Sequence, residues 1–235
     1  MSWLWLRDPG HYKGYRLKSP PGTQEAAIEL LLRHDPPRSS VLDLASGGAM
    51  LARLSEAGFT DLHAVARDPS LVGETEATVP EEWNVASLDL NRSFSVHYRR
   101  LFGLVVSSEA IEHLESPREF LREVYRLLEE DGYLLLTTPN VANWVGRIWF
   151  VLFGELRWFD DRMYRKARHI SPITDFQLRA MLREAGFGLV ATTSAGSFSG
   201  PLRALLTAPL SLPFLGLLGR RGWGDCNIYL ARRSG

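Results

Sequence analysis

Hydrophobic and polar positions follow two rhythms along the chain, one typical of buried strands and one typical of amphipathic helices. Short continuous apolar runs predict strands at residues 41–45, 62–66, 85–90, 102–107 and 133–138. Apolar positions that recur every helical turn predict helices at residues 23–34, 49–57 and 117–129. Strands that alternate with helices predict an α/β fold, with a mostly parallel sheet and helices on both of its faces.

The rhythm changes after residue 140. Further helices and strands are predicted at 141–153, 174–185, 189–193 and 226–231. Thr174 with Gln177 three residues later is typical of a capping box at a helix start. The segments 141–172 and 197–222 are additions rich in apolar residues and arginine, and the first includes a polar connection at 154–172. We interpret them as lid or insertion segments of a single domain that covers 1–235.

Composition narrows the class of protein and of partner. The 235 residues are 45% hydrophobic, enough for one sizeable core. Basic and acidic residues number 27 each, so the net charge of zero does not favour nucleic acid as a partner. The single cysteine, Cys226, excludes an internal disulfide, and the apolar run near the N-terminus falls short of the ~7–15 residues of a signal peptide. We expect a cytoplasmic protein without the ~20-residue apolar run of a transmembrane helix.

Residues 102–140 carry the most specific pattern in the chain. A buried strand is followed by the letters SSEAIEHL, an amphipathic helix, an Asp-Gly pair read as a turn, a second buried strand and the letters TTPN. This order resembles the second half of the class I S-adenosylmethionine-dependent methyltransferase domain. The resemblance implies a Rossmann-like sheet of seven strands, S-adenosyl-L-methionine as cofactor, and transfer of a methyl group to oxygen or nitrogen of a small or lipid-linked acceptor.

The letters VLDLASGGA stand where this family has its glycine-rich first motif. Ala45, Gly47 and Ala49 occupy the three glycine positions. The resemblance implies that Ala45, Ser46 and Gly47 contact the cofactor, and that Asp43 orients the loop or meets the cofactor's amino group. If the backbone at an alanine is left-handed, the conformation costs ~1–2 kcal/mol.

A dinucleotide-binding fold is the nearest alternative reading of the same strand-turn-helix letters. Its fingerprint needs three glycines and an acid about twenty residues later. Met50 stands where the third glycine is required, and its side chain is incompatible with the close helix packing at that position. The alternative is therefore weaker than the methyltransferase reading.

The end of the second long strand departs from the family pattern. Relatives place an acid there to hold both ribose hydroxyls, and here the position holds Ala66. Losing a charged hydrogen bond costs ~1.5–3 kcal/mol. Two neighbours offer compensation, since Arg67 could stack on the adenine and Asp68 could reach the ribose. The alternative for Asp68 is that it caps the following helix.

Five other residues complete the cofactor site that the resemblance implies. Asp89 matches the acid that meets the adenine amino group, and Leu90 matches the neighbour that supplies a backbone contact. The alternative for Asp89 is a surface turn. Ser107 ends the fourth long strand, where the backbone faces the methionine part of the cofactor. Tyr12 and Tyr15 stand where relatives fold aromatic rings over the cofactor.

Candidate catalytic residues are His113, Glu109 and His169. Glu109, Glu112 and His113 have the spacing of one helical face, and His169 lies in a segment that resembles the linker closing over the substrate in relatives. Three interpretations stay open: a histidine acts as base or orienter, the four side chains hold a divalent metal, or the group braces the loop. We assign no metal site from the sequence.

The two insertion segments carry many large apolar side chains. One interpretation is a lid over an apolar acceptor that touches a membrane surface through Arg203, Arg220 and Arg221. The other is that the segments pack on each other or form a homodimer contact.

A second hypothesis for the whole chain comes from a different class of function. Ala45, Ala49 and Ala66 depart together from the family's cofactor positions. The alternative to an active enzyme is therefore a catalytically weak relative that acts as a binding or regulatory partner.

Overall fold

Nine strands and six helices make up the described part of the chain. A computed structural model describes residues 10–17, 19–45, 47–66, 80–196 and 222–234. The helices are α1 Thr23–Leu32, α2 Ala49–Glu56, α3 Pro117–Leu127, α4 Trp144–Phe153, α5 Asp161–Ala167 and α6 Asp175–Glu184. The strands are β1 His11–Tyr12, β2 Tyr15–Arg16, β3 Val41–Leu44, β4 Leu62–Ala66, β5 Asn84–Ser87, β6 Phe102–Ser108, β7 Leu128–Pro139, β8 Phe187–Ala195 and β9 Cys226–Arg233. No helix among these residues is long and apolar enough to cross a membrane.

Seven of the strands form one open sheet in the order β5-β4-β3-β6-β7-β9-β8, while β1 and β2 pair as a separate hairpin. The strands from β5 to β7 are parallel, and β9 runs antiparallel between β7 and β8. The predicted Rossmann-like sheet of seven mostly parallel strands is confirmed. Because β3, β4, β5 and β6 are parallel, their carboxyl ends share one edge, which is where such sheets bind ligands.

Alternate residues of the central strands pack into two separate hydrophobic cores, one on each face of the sheet. Leu42 and Leu134 pack in a cluster with the apolar side chains of α3 and α6. Val41 and Leu135 pack in the other cluster, with α1 and α2. Helices therefore cover both faces of the sheet, as the apolar runs of the buried strands predicted.

The Asp-Gly pair at 131–132 was predicted as a turn between a helix and a strand, but it lies inside a strand. β7 already starts at Leu128 and continues through Asp131, whose φ of 63° is left-handed. Phe102 pairs with Leu128 and Leu104 with Tyr133, so the pairing with β6 contains an irregularity at this point. The pair is a bulge inside a long strand rather than a turn between elements.

The segment 154–172 is not a plain connection. It contains α5, which begins at the cap residue Asp160 and ends at Arg168 with a left-handed φ of 59°. None of the residues of α5 is buried. The predicted capping box at α6 is confirmed, because Thr174 Oγ1 accepts from the Gln177 amide and Gln177 Oε1 accepts from the Thr174 amide. Ser46, Arg67, Asp68 and all but one residue of the segment 197–222 lie outside the described residues.

Candidate active site

A cavity of about 870 Å³ opens at the carboxyl edge of the sheet. Its walls come from the ends of β3, β4, β5 and β6, from the turn after β6, and from the segment that follows α5. Predicted site residues among its lining are Ala45, Asp89, Leu90, Glu109 and His113. The volume is within the range of sites that hold small molecules and cofactors.

Two of the described residues in the turn from β3 to α2 have a positive φ. Ala45 has a φ of 63° and lines the cavity. Gly48 has a φ of 86° and precedes the helix, in which Ala49 is the first residue. Of the two alanines at glycine positions, only Ala45 therefore carries the left-handed cost of ~1–2 kcal/mol.

We expect Ala45→Gly to raise the free energy of unfolding by ~0.5–1 kcal/mol, because relief of ~1–2 kcal/mol of strain exceeds the ~0.4–1 kcal/mol of added chain entropy. The melting temperature should rise by ~1–4 °C for a chain of this size. Ala49→Gly is the matched control and should lower stability, since Ala49 lies in a helix. A lower melting temperature for Ala45→Gly would contradict the strain.

The remaining predicted cofactor residues occupy the same edge, but several are buried behind it. Asp43 is 1% exposed and Ala66 is 2% exposed. Ser107 is fully buried, and its Oγ has no hydrogen-bond partner among the described residues. Asp89 lines the cavity, and its Oδ1 also accepts from the Asn91 amide, as in a surface turn. Asp89 therefore lies where a cofactor contact is expected and also forms a turn, so both interpretations of this residue remain compatible with its position.

The two aromatic residues of the N-terminal hairpin are not among the described residues that line the cavity. The Tyr15 ring lies against Gly48 and stacks on Trp83, with ring centroids 5.4 Å apart. The Tyr12 hydroxyl donates to Glu56 on α2, and Arg53 lies over the Tyr12 ring. These contacts brace the hairpin against α2 and the turn that precedes it, and the cover of the two rings over the cofactor stays a prediction.

The predicted helical face of Glu109, Glu112 and His113 does not form. Glu109 has a left-handed φ of 51°, and a single 3₁₀ turn, Ile111–His113, follows it. The amide of Glu109 donates to the backbone oxygen of Thr137 at 3.2 Å. This kink keeps Glu109 outside the turn that carries Glu112 and His113.

The Glu109 carboxyl is held by two strands of the sheet. Its Oε1 accepts from Thr137 Oγ1 on β7 at 3.0 Å and from Cys226 Sγ on β9 at 2.9 Å. Burial, followed by the charge of Asp225, raises the pKa of Glu109. Burial and the nearby Glu109 raise the pKa of the Cys226 thiol well above its usual range. The thiol therefore acts as a donor, a contact that the sequence analysis missed.

Glu112 is fully buried, and its backbone ties the segment that follows α5 to the turn after β6. Its backbone oxygen accepts from the amides of Ile170 and Ser171, both at 3.0 Å. Ser171 Oγ donates to the Leu114 backbone oxygen at 2.6 Å. These three bonds bring His169 beside His113, with ring centroids 4.8 Å apart, although His169 is not among the described residues that line the cavity. That both histidines lie on the same side of the cofactor pocket stays a prediction.

The orientation of His169 is set by a backbone carbonyl. His169 Nδ1 lies 2.8 Å from the Trp158 oxygen. A carbonyl only accepts, so Nδ1 carries the hydrogen and Nε2 carries the lone pair of the neutral ring. Burial, followed by the neighbouring His113, lowers the pKa of His169. The ring is therefore neutral near pH 7 and can take a proton at Nε2.

Candidate metal ligands form a smaller group than predicted. One ligand atom each from Glu112, His113 and His169 lies within 4.8 Å of the others. Glu109 is not part of this group. Burial and the charge of Glu109 raise the pKa of Glu112 well above its usual range, which favours a protonated carboxyl here. The donor set of one carboxylate and two imidazoles nevertheless suits a transition metal, so the metal interpretation stays open.

Comparison with known protein families identifies the family of this chain. The family model described as methyltransferase domain matches residues 16–192. The chain belongs to this family. The match covers the turn after β3, both carboxylates of the SSEAIEHL letters and both histidines. The predictions of a methyltransferase and of S-adenosylmethionine as its cofactor are confirmed.

Solved structures share the fold of this methyltransferase at low identity. An S-adenosylmethionine-dependent methyltransferase from Archaeoglobus fulgidus has a TM-score of 0.63 at 17% identity, over 90% of this chain and 95% of that one. The N-methyltransferase NodS from Bradyrhizobium japonicum WM9, in complex with S-adenosyl-L-homocysteine, has a TM-score of 0.55 at 15% identity, over 90% and 86%. The cyclase SpnF has a TM-score of 0.59 at 17% identity, over 94% and 86%. These likenesses show the fold alone, and no curated protein matches the sequence.

Proposed function

We propose that this methyltransferase moves a methyl group from S-adenosylmethionine to an oxygen or nitrogen of a small or lipid-linked acceptor, with His169 as the general base. The observation that carries the proposal is the fixed tautomer of His169, which directs a basic Nε2 away from the Trp158 carbonyl. His113, which lines the cavity, lies against the same ring. A cytoplasmic location and a single domain with lid segments belong to the same proposal.

The residues at the cavity fit the cofactor. The cavity is large enough, and its wall includes the turn after β3 at Ala45 and the acid Asp89 after β5. Ser107 Oγ lies buried near the end of β6, directly across from Leu44 in the register, and no described residue hydrogen-bonds to it. When bound, S-adenosylmethionine supplies an electrophilic methyl group. The turn Ala45–Gly48 and Asp89 would hold it at this edge, where parallel sheets place their ligands.

Positioning supplies most of the acceleration in a displacement of this kind. The chain contributes by fixing the acceptor's neighbours. Glu109 anchors the turn after β6 to β7 and β9, and the Glu112 backbone anchors the segment that carries His169. His169 Nε2 then takes the proton that an acceptor hydroxyl or protonated amine must lose, which contributes ~10²–10⁴ in rate. Glu109 is a positioning residue in this scheme.

Calorimetry with S-adenosylhomocysteine tests the cofactor site. We expect one site per chain, and we expect Asp43→Ala to abolish binding, because the buried Asp43 lies at the carboxyl end of β3 below the turn that contacts the cofactor. Asp161→Ala is the matched control, since this acid is exposed on α5 and pairs with Arg165. It should bind as the unchanged protein does.

The alternative function, a binding or regulatory relative, is favoured by one observation. The alanine at position 45 holds a left-handed conformation that glycine adopts without strain. A flat titration up to millimolar S-adenosylhomocysteine would support this alternative and sink the catalytic proposal. Saturable binding, followed by label transfer from methyl-labelled cofactor to a component of a cell extract, would support catalysis and identify the acceptor class.

A further inference from the structure

The last turn of α4 is apolar and exposed on every side. Phe150, Val151, Leu152 and Phe153 are 51%, 82%, 67% and 58% exposed. Successive residues of a helix point about 100° apart, so four consecutive exposed positions cover the whole circumference. A helix that packs on a protein surface buries one face and leaves the other polar. Within the part of the chain that the structure describes, none of these four side chains is buried, and none is polar.

The end of α4 also projects into open space. Gly154 caps the helix with a left-handed φ of 73°, and a side-chain carbon built at this glycine would meet no atom of the described residues within 4 Å. Trp149 packs on Phe153 with ring centroids 4.4 Å apart, which keeps two aromatic rings together at the base of the turn. The helix has 10 residues, so its length is ~15 Å, half the thickness of a bilayer core.

Basic side chains follow directly in the chain. Residues 144–170 contain six Arg or Lys and three Asp or Glu, a net charge of +3 in a chain whose net charge is zero. Arg162, Lys166 and Arg168 are exposed and form no ion pair with a described acidic residue. Arg168 also lines the cavity. The cations therefore extend from the projecting turn to the mouth of the active site.

We propose that the last turn of α4 inserts into the surface of an anionic lipid bilayer, with α5 as its basic partner for the headgroups. An all-round apolar turn suits a medium that surrounds it, whereas a protein partner would contact one face only. Insertion of an apolar segment by ~5–10 Å, combined with cations beside it, is the usual design of a peripheral membrane anchor. The proposal rests on the proposed function in one respect, since it narrows the acceptor to a molecule presented at a lipid surface.

Sedimentation with vesicles tests membrane binding without cofactor or turnover. A failure of the membrane proposal is therefore distinguishable from a failure of the methyltransferase proposal. The full chain should sediment with vesicles of equal phosphatidylcholine and phosphatidylglycerol, and far less with phosphatidylcholine alone. The triple variant Phe150→Ser, Val151→Ser and Leu152→Ser should reduce the partition coefficient at least ~10-fold. The double variant Arg162→Gln and Lys166→Gln should reduce it ~25-fold on anionic vesicles, about fivefold for each charge.

The matched control is Val96→Ser with Phe176→Ser, two residues that are 73% and 77% exposed and lie outside α4 and α5. This control should partition like the unchanged protein. Three outcomes would overturn the proposal. The first is that the triple variant sediments with vesicles as the unchanged protein does. The second is that, without lipid, the triple variant melts more than a few degrees below the unchanged protein. The third is that light scattering gives the triple variant half the molecular mass of the unchanged protein. The second would show that the turn is covered by another part of the chain, and the third that a second copy covers it.

Discussion

Replacement of His169 by alanine should lower the rate of methyl transfer by ~10²–10⁴ while leaving the affinity for S-adenosylhomocysteine within a few-fold. The reason is the fixed tautomer, since only Nε2 has a lone pair free to take the acceptor's proton when Nδ1 is bonded to Trp158. His97→Ala is the matched control, because His97 is exposed in a 3₁₀ turn away from the cavity. Steady-state rates at saturating cofactor measure the effect.

The pH dependence of the same rate has a definite sign. Burial and His113 lower the pKa of His169, so its neutral form persists below the ordinary value of ~6.5. We expect the rate to stay constant as the pH falls through ~6.5 and to decline only at lower pH. A histidine base with an unperturbed pKa would lose activity already near ~6.5. The profile of kcat against pH, recorded in the unchanged protein and in His113→Ala, separates the two.

A metal at Glu112, His113 and His169 would give a different result. Chelator would then abolish activity, and Glu112→Ala would do the same by removing the carboxylate ligand. With His169 as a base, chelator leaves the rate unchanged. If neither chelator nor His169→Ala changes the rate tenfold, positioning alone carries the reaction and the assignment of His169 is wrong.

A second large effect is expected at Gly48. Gly48→Ala should lower the free energy of unfolding by ~2–5 kcal/mol, the sum of left-handed strain and overpacking. A side-chain carbon at Gly48 would lie 2.4 Å from the Tyr15 ring, and that ring is buried and stacked on Trp83. The ring cannot yield cheaply, so the turn from β3 to α2 must move. Binding of S-adenosylhomocysteine should weaken with it, because this turn lines the cavity at Ala45.

Gly154→Ala separates the two contributions. Gly154 is also left-handed, at 73°, but no atom lies within 4 Å of an added side-chain carbon. Its substitution should cost only the left-handed strain of ~1 kcal/mol. Thermal unfolding and calorimetry of both variants provide the comparison. Equal melting temperatures for Gly48→Ala and Gly154→Ala would show that Tyr15 does not restrain the turn.

The alternation of strands and helices was predictable because each buried element has an unbroken apolar signature. β4 has the predicted bounds, Leu62–Ala66, and β6 extends one residue beyond its predicted end. α5 was not predictable in the same way, because none of its residues is buried and its letters show no apolar periodicity. Only its local cap, Asp160 accepting from the Met163 amide, stabilises its start. Short polar helices leave little trace in a hydrophobic pattern.

The bulge in β7 shows how a correct local signal can mislead. Asp-Gly favours a left-handed residue, and Asp131 does adopt one. Pairing with β6 extends the strand across it, a choice made by tertiary contacts. The kink at Glu109 is a similar case. The spacing of Glu109, Glu112 and His113 fits a helix, yet hydrogen bonds to Thr137 on β7 hold Glu109 outside the following turn.

Proximity at the active site was predictable, but orientation was not. The rule that parallel strands share a ligand-binding edge brings His113 to the cavity, and the family resemblance brings His169 beside it. The partner that fixes the His169 tautomer is a backbone oxygen, which every residue has, so no letter marks it. The bond between Cys226 and Glu109 joins residues 117 positions apart and likewise leaves no sequence signal.

The place of β9 between β7 and β8 has a consequence for synthesis. Among the described strands β8 pairs only with β9, and both β7 and β8 are synthesised before β9. At ~5–20 residues per second the chain needs several seconds to progress from β8 to the end of β9. During that time the free side of β7, with its apolar Leu134, Leu135 and Leu136, is an open edge that other chains can pair with. A nascent chain arrested before Cys226 therefore lacks the donor to Glu109 and is prone to aggregate, because this edge of β7 stays open until β9 has been made.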